Sequence, residues 1–590
     1  MSSPRRRAIG AELTGSGVEF RVWAPDHERI RVIVDDVELA LEREDDGHFR
    51  ASAKHARAGS RYRFRLDDEQ AMYPDPASRF QPEGPHGPSE VVDSDAYEWR
   101  DRDWPGIVMH DLVIYEMHVG TFTTEGTWSA AIEHLEPLVN IGINVIEVMP
   151  VNEFPGRFGW GYDGVDLFAP TRLYGKPDDF RRFVDAAHAR GLGVILDVVY
   201  NHFGPDGCYL KHFAKDYFTD RYSNEWGDAI NFDAAGVREF FCENAAYWID
   251  EFHLDGLRLD ATQSIEDRCR QHIVTAVQRA ARAAAGDRTI IIVAENEPQD
   301  VRLIREYGVD AMWNDDWHHA AMVAATGRRE AYYFDYRGAA QEFVSAARNG
   351  FLFQGQRYAW QKKRRGSSSR GLDREKLVCY LQNHDQVANS GDGQRLDKIT
   401  SRGKFRALTA LLLLGPNTPM LYQGQEFAAS APFLYFADHN PELAAAVEKG
   451  RRQFMQQFPS IDIEKLPKPH DPATFALCKL DHSEREKHAE VVQLHRDLIR
   501  LRRDLDFATV DGATLSDRAF VLRYSDSHLL LINLGPRLEL DVAPEPLLAP
   551  PIGSRWQVAW SSEPLAEPIE ADADPSWRIP GEVAVLLRAK

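Results

Sequence analysis

The sequence predicts an α/β protein, a (β/α)8 TIM barrel with a β-sandwich before it and another after it. Three observations predict this. Short apolar runs alternate with helical stretches from about residue 111 to residue 422, the pattern of parallel strands joined by crossover helices. Both ends of the chain show period-two alternation instead, as half-buried antiparallel strands do. Acidic and histidine side chains gather where the central strands end, the face on which barrels build their sites.

The first hundred residues read as β. Val18, Phe20 and Val22 alternate with polar neighbours, as do Ile30, Val32 and Val34, then Tyr62, Phe64 and Leu66. A Pro-rich passage from Pro74 to Pro88 reads as a boundary. Eight strands are expected next: Leu112–Met117, Val145–Met149, Val194–Val199, Gly256–Leu259, Ile290–Ala294, Ala311–Trp313, Leu377–Leu381 and Met420–Tyr422. Helices are expected over Pro177–Arg190, Val237–Phe252, Arg268–Ala285 and Lys404–Leu414. Two segments interrupt the alternation, 204–234 and 315–376. The second contains KKRRGSSSRG at 362–371, whose charge, glycine and serine read as an exposed flexible loop. Beyond about 510, Trp556, Val558 and Trp560 alternate, as do Val583, Val585 and Leu587. The expected domains are therefore residues 1–95, 96–508 and 509–590.

Lys and Arg number 70 against 91 Asp and Glu, a formal net charge of −21 over 590 residues. That balance disfavours nucleic acid or an anionic membrane as partner and suits a neutral substrate. Five cysteines without paired spacing argue against a disulfide framework or a zinc site. The start MSSPRRRAIG lacks an apolar core behind its charges, and no run of about 20 apolar residues exists. A cytoplasmic protein is the expectation, with oligomeric state open.

In DGLRLD, side chains two apart share a face. Arg258 and Asp260 then point into the barrel, and Leu257 and Leu259 outward to the helices. Glu295 arrives as IIIVAENE ends, Asn201 and His202 as DVVYNH ends, and Asn383, His384 and Asp385 as LVCYLQNHD ends. Two carboxylates flanking a glycosidic bond, one ionised and one protonated, are the equipment of glycoside hydrolysis. Arg258 would hold Asp260 ionised, and like charge with poor solvation would keep the Glu295 proton on. Each element has an ordinary reading: Asp260 with Arg258 as a structural ion pair, Glu295 as a helix-start acid, NHD as a cap. Four such strand ends in barrel order favour the catalytic reading.

With these residues in view, the chain resembles the α-amylase superfamily, whose four short motifs stand here as DVVYNH (197–202), GLRLD (256–260), AEN (294–296) and NHD (383–385). The resemblance implies Asp260 as nucleophile, Glu295 as acid/base and Asp385 as transition-state stabiliser. It implies that Arg258, His202 and His384 hold substrate, and that Tyr162 and Asp163 of GWGYD line the −1 sugar site. Within the superfamily the chain is similar to the malto-oligosyltrehalose trehalohydrolases over nearly its whole length, through YEMHVGTFTTEGTW (115–128), MPVNEFPGRFGWGYDG (149–164), WNDDWHH (313–319), NHDQ (383–386) and HDPATFALCKL (470–480). This implies hydrolysis of the α-1,4 bond beside a terminal trehalose unit of malto-oligosyltrehalose, with related α-glucans as further partners. Asp316, Trp317 and His319 of WNDDWHH, and Gln386 beside the NHD, are expected to contact sugar. Gln263 stands where relatives place a histidine after the nucleophile. No cofactor and no metal are expected. A branching enzyme is less consistent with NHDQ than with SHDE at the fourth motif. A debranching enzyme and a non-catalytic glucan-binding protein also compete with this reading, and the second of them would be expected to lack Asp260 or Glu295.

Overall fold

Eight strands close the barrel in chain order: Ile114–Met117, Val145–Val148, Gly193–Val198, Gly256–Leu259, Ile291–Ala294, Ala311–Trp313, Leu377–Tyr380 and Thr418–Tyr422. Every neighbouring pair is parallel, and the eighth strand returns to the first. The protein is described from a computed structural model, which covers residues 6–224, 227–542, 545–566, 569–571 and 574–590.

Period-two alternation sorts the strand residues between lumen and helix layer. Ile114, Val145, Ile195, Val293, Val378 and Met420 form one apolar cluster inside the barrel, plugged below by Ile107 and Leu112. Leu257, Leu259, Ile292, Ala294 and Met312 belong to the separate core beneath the helices. Above the apolar lumen lies a charged layer. Glu116 pairs in register with Glu147, and Asp197 with Arg258, each at most 1% exposed. Burying a large apolar side chain stabilises by about 1.5–3 kcal/mol, whereas burying a charge costs several kcal/mol unless it is paired. A charged layer at this depth is retained against that cost, which marks this end of the barrel as the working end.

The helices start and stop on local signals. Pro177–His188 opens with proline and with Asp178 and Asp179 in its first turn, where a fixed φ and negative charge suit the helix N-terminus. Asp315–Thr326 opens on Asn314, whose side chain accepts from the Trp317 N–H at 3.3 Å, and ends at Gly327 with φ +73°, a left-handed stop. This helix and Ala340–Asn349 occupy the segment 315–376, which in sequence is an interruption of the strand–helix alternation. Asp315–Thr326 is buried nearly all round, so it carries little of the amphipathic contrast by which helices are found.

Two four-stranded antiparallel sheets form the N-terminal sandwich. The Pro-rich passage is not a spacer after it. Residues 73–80 are buried throughout, and the Tyr62 hydroxyl donates to Asp75 at 2.8 Å. Arg79 lies over the barrel-side rings of Phe168 and Tyr247, 5.0 and 4.4 Å from their centroids. At the C-terminus a five-stranded sheet faces a three-stranded one, and Phe520 stacks on Phe343 of the helix layer at 5.5 Å. All five cysteines are free. Among the described residues, no helix is long and apolar enough to cross a membrane.

Candidate active site

One guanidinium organises the cleft. Arg258 is fully buried, with its Cζ 4.1 Å from the Trp313 ring centroid. Its Nη1 donates to Asp197 at 2.6 Å and to Asp260 at 2.9 Å, and its Nη2 donates to Glu295 at 2.8 Å. Strand register explains this convergence. Arg258 sits between Asp197 on the third strand and Val293 on the fifth, and Asp260 and Glu295 each follow two residues beyond. The Asn201 amide donates to the Asp260 carboxylate at 2.8 Å and to its backbone carbonyl at 2.9 Å.

The backbone bends to serve the same cluster. Ala261 has φ +38°, a left-handed conformation that costs a non-glycine residue of order 1–3 kcal/mol. The bend directs its N–H to the Glu295 carboxylate at 2.9 Å. Nothing in the sequence signals this strain, since alanine is ordinary in either neighbouring element.

Three carboxylates share one guanidinium charge, so like-charge repulsion disfavours full ionisation. Burial pushes Glu295 up to about 7, with the Asp260 and Asp385 carboxylates adding to the shift and Arg258 opposing it. Burial also raises Asp260, against the pull of Arg258 and of the Asn201 amide. His384 lies 2.6 Å from Glu116. Burial works against its charge, but Glu116 and Asp385 override it and lift the imidazole to about 9, so it is a cation at neutral pH. Glu147, whose oxygens have no hydrogen-bond partner among the described residues, is raised well above the usual range by burial.

Loops after the second, third, seventh and eighth strands contribute the opposite wall. The Tyr162 hydroxyl donates to Asp197 at 2.6 Å, and its ring stacks on His384 at 5.1 Å. The His202 Nε2 lies 3.0 Å from the Tyr162 carbonyl, and burial lowers the imidazole to about 4. Asp163 is 3.5 Å from His439. Asp385 stands with 47% of its side chain open to the cleft, 3.6 Å from His384. Trp160, edge-on to His384 at 5.3 Å, and Tyr435, 5.1 Å from Trp160, extend the aromatic lining. Sugar sites use such rings for their apolar faces.

Of the expected residues, Asp260, Glu295, Asp385, Arg258, Tyr162, Asp163, His202 and His384 thus come together. Gln386 stands at the margin, half-buried, accepting from the Tyr332 and Tyr333 hydroxyls at 3.0 Å each. The other three do not join them. Asp316 is 0% exposed. One of its oxygens accepts from the Tyr336 hydroxyl at 2.5 Å, and the other accepts from the Leu352 and Phe353 N–H groups at 2.8 Å. Trp317 is buried near Phe343, and His319 is stacked on Tyr332 at 5.0 Å. Of the two adjacent acids it is Asp315 that stays partly open: its carboxylate accepts from the Tyr380 hydroxyl and is 16% exposed. Asp316→Ala is therefore expected to cost about 2–4 kcal/mol of stability, because buried donors lose their acceptor, and to reach substrate preference only indirectly, through the segment 352–365 that Asp316 anchors. Chemical denaturation beside kinetics on two substrates checks this.

Among the described residues, two groups of His, Cys and carboxylate atoms converge closely enough for a metal: Glu44, Asp46 and His48, and Asp233, Asp267 and Cys269. Neither includes a residue of the Arg258 cluster. Arginines already neutralise them, Arg21 on Glu44 and Asp46, and Arg238 on Asp267.

The α-amylase catalytic-domain family matches residues 88–228. The malto-oligosyltrehalose trehalohydrolase of Deinococcus radiodurans is 42% identical over 509 residues, covering 85% of this chain and 84% of that one. The chain belongs to the malto-oligosyltrehalose trehalohydrolase family. The Saccharolobus solfataricus trehalohydrolase is 39% identical over 510 residues, covering 85% of this chain and 88% of its own. A crystal structure of a Salmonella typhimurium protein described as an α-amylase superposes with a TM-score of 0.90 at 34% identity, covering 99% of this chain and all of that one. As a trehalohydrolase-family member the chain is a glycoside hydrolase of the α-amylase group.

Proposed function

We propose that this chain hydrolyses malto-oligosyltrehalose at the α-1,4 bond beside the terminal trehalose, with retention, using Asp260 as nucleophile and Glu295 as acid/base. The observation that carries the reading is the shared hold of Arg258 on Asp260 and Glu295. One side chain reaches both carboxyl groups, and burial, with the neighbouring carboxylates adding to it, lifts Glu295 to about 7.

In the first step an Asp260 oxygen attacks the anomeric carbon as the C1–O bond breaks, and Glu295 passes its proton to the departing oxygen of trehalose. In the second, Glu295 takes a proton from water as that water attacks C1. This restores Asp260 and frees the shortened glucan in the α configuration. The half-exposed Asp385, beside the His384 cation, is placed to grip hydroxyls of the flattened sugar as charge develops at C1. Tyr162 and Trp160 provide its apolar seat.

The carboxyl separation that retention requires is about 5–5.5 Å, which two acids on adjacent nitrogens of one guanidinium are suited to meet. Proton NMR of the reaction is expected to show the α anomer first and free trehalose as the released disaccharide. Malto-oligosyltrehalose is expected to be cut much faster than a linear malto-oligosaccharide of equal length. A β anomer first would overturn the nucleophile assignment. Maltose or new branches as the main product would overturn the substrate while leaving the paired acids in place.

A further inference from the structure

The wall beyond Glu295 is held by a residue from the segment that reads as a free basic loop. Arg365 is 2% exposed. Its guanidinium pairs with Glu297, two residues past Glu295. It also lies 3.3 Å from Asp316 and 3.8 Å from Asp315, at the start of the helix after the sixth strand, and its Cζ is 5.0 Å from the Tyr358 ring centroid.

The backbone around it is fastened to the same loop. The Gly366 N–H donates to the Pro298 carbonyl at 2.8 Å. The Ser367 hydroxyl donates to the Gln299 carbonyl at 3.0 Å and accepts from the Val301 N–H at 2.8 Å. The Gln361 amide donates to Glu297 at 3.0 Å. Residues 361–367 are therefore stitched along 297–301, the stretch that follows the acid.

Two of the carboxylates gathered here are not sealed in: 16% of the Asp315 side chain and 29% of the Glu297 side chain remain open. Burial pushes Asp315 up to about 7, with Arg365 opposing and the Glu295 charge adding to the shift, so Asp315 and Glu295 sense one another. A general acid stands on the side of the group that leaves, which makes the partly open carboxylates on the loop after Glu295 and on the next strand's helix candidates to meet that group.

We infer that Arg365 is a positioning residue for the leaving-group side, pinning the loop behind Glu295 to the helix that begins at Asp315 so that Asp315 and Glu297 meet hydroxyls of the departing disaccharide. The inference rests on the trehalose-releasing reading above. A 1,1-linked disaccharide is bent at its anomeric centres and carries its second ring's hydroxyls where a linear glucan does not. Acceptors fixed for one shape are left unpaired by the other, and discrimination follows. A planar five-donor fork suits three carboxylates in a way an ammonium does not.

The test uses Arg365→Gln and Arg365→Lys in the full chain with three substrates: malto-oligosyltrehalose, a linear malto-oligosaccharide of equal length, and an aryl α-maltoside that has no second leaving glucose. Arg365→Gln is expected to lower kcat/KM roughly 100-fold for the trehalose-terminated chain, and less than about fivefold for the other two. Arg365→Lys is expected to recover part of the loss. A merely structural role would lower all three substrates alike, and that result overturns the inference. If Arg365→Gln does not fold, Glu297→Gln reads the same preference, and an unchanged preference there overturns it too. The parent enzyme is measured first. No preference in the parent refutes the trehalose reading and this inference with it, whereas a preference retained by the variants refutes the inference alone.

Discussion

Asp260→Ala is expected to keep the fold of the parent and to lose on the order of 10⁵-fold in kcat, the scale on which removal of a covalent nucleophile acts. Neither Asp197 nor Asp385 is expected to substitute. Asp197 is buried below with Arg258 and Tyr162 bound to it, and Asp385 belongs to the seventh strand's loop, beside His384. The substitution leaves Arg258 with Asp197 and Glu295, so no buried charge is stranded. Stability is therefore expected to change far less than activity. Steady-state kinetics beside thermal unfolding separates the two, and an Asp260→Ala protein with a tenth of parental activity would remove Asp260 from the mechanism.

Glu295→Gln carries the second large effect, and its signature lies in pH as well as rate. Glu295 must hold a proton to act in the first step. With burial lifting it to about 7, it stays protonated well above the range of an ordinary carboxylic acid. Activity is accordingly expected to fall as pH rises through that value, because the acid is being lost. Glu295→Gln keeps the shape and can accept the same donors but cannot release a proton, so natural substrate is expected to lose roughly 10³–10⁴-fold. An aryl α-glucoside whose leaving group needs no protonation is expected to keep its first step within about tenfold of the parent. The alkaline limb is expected to vanish for that substrate. Equal losses on both substrates, or an alkaline limb that survives the substitution, would rule out Glu295 as the acid.

Much of this site can be read from the sequence because strand alternation is rigid. Once GLRLD is a barrel strand, Arg258 and Asp260 have one direction available, and Glu295 follows by the same rule on the next strand. The eight strands are readable for a similar reason, each being a short apolar run between helical stretches. What escapes is set by partners distant in sequence. Arg365 lies within a run of basic residues and glycine, and its burial depends on Glu297 and Asp315, which nothing nearby announces. The choice between Asp315 and Asp316 turns on a helical step of about 100°, fixed by the Asn314 cap. That step sends one carboxylate to the cleft and the next into the protein. Glu116 and Glu147 read as ordinary members of apolar strands, because an inward acid is recognised only when its neighbours across the lumen are known.

The Arg79 contact bears on how the chain is born. Synthesis runs from the N-terminus, and domains fold largely as units while it proceeds. The sandwich is complete while Phe168 and Tyr247 are still to be made. Arg79 then waits on an exposed face, and the rings that cover it arrive in turn, one with the strand Asp166–Pro170 and the other with the helix Ala235–Glu251. The finished sandwich is thus expected to serve as a seat on which the nascent barrel's outer layer settles while its later strands have yet to leave the ribosome.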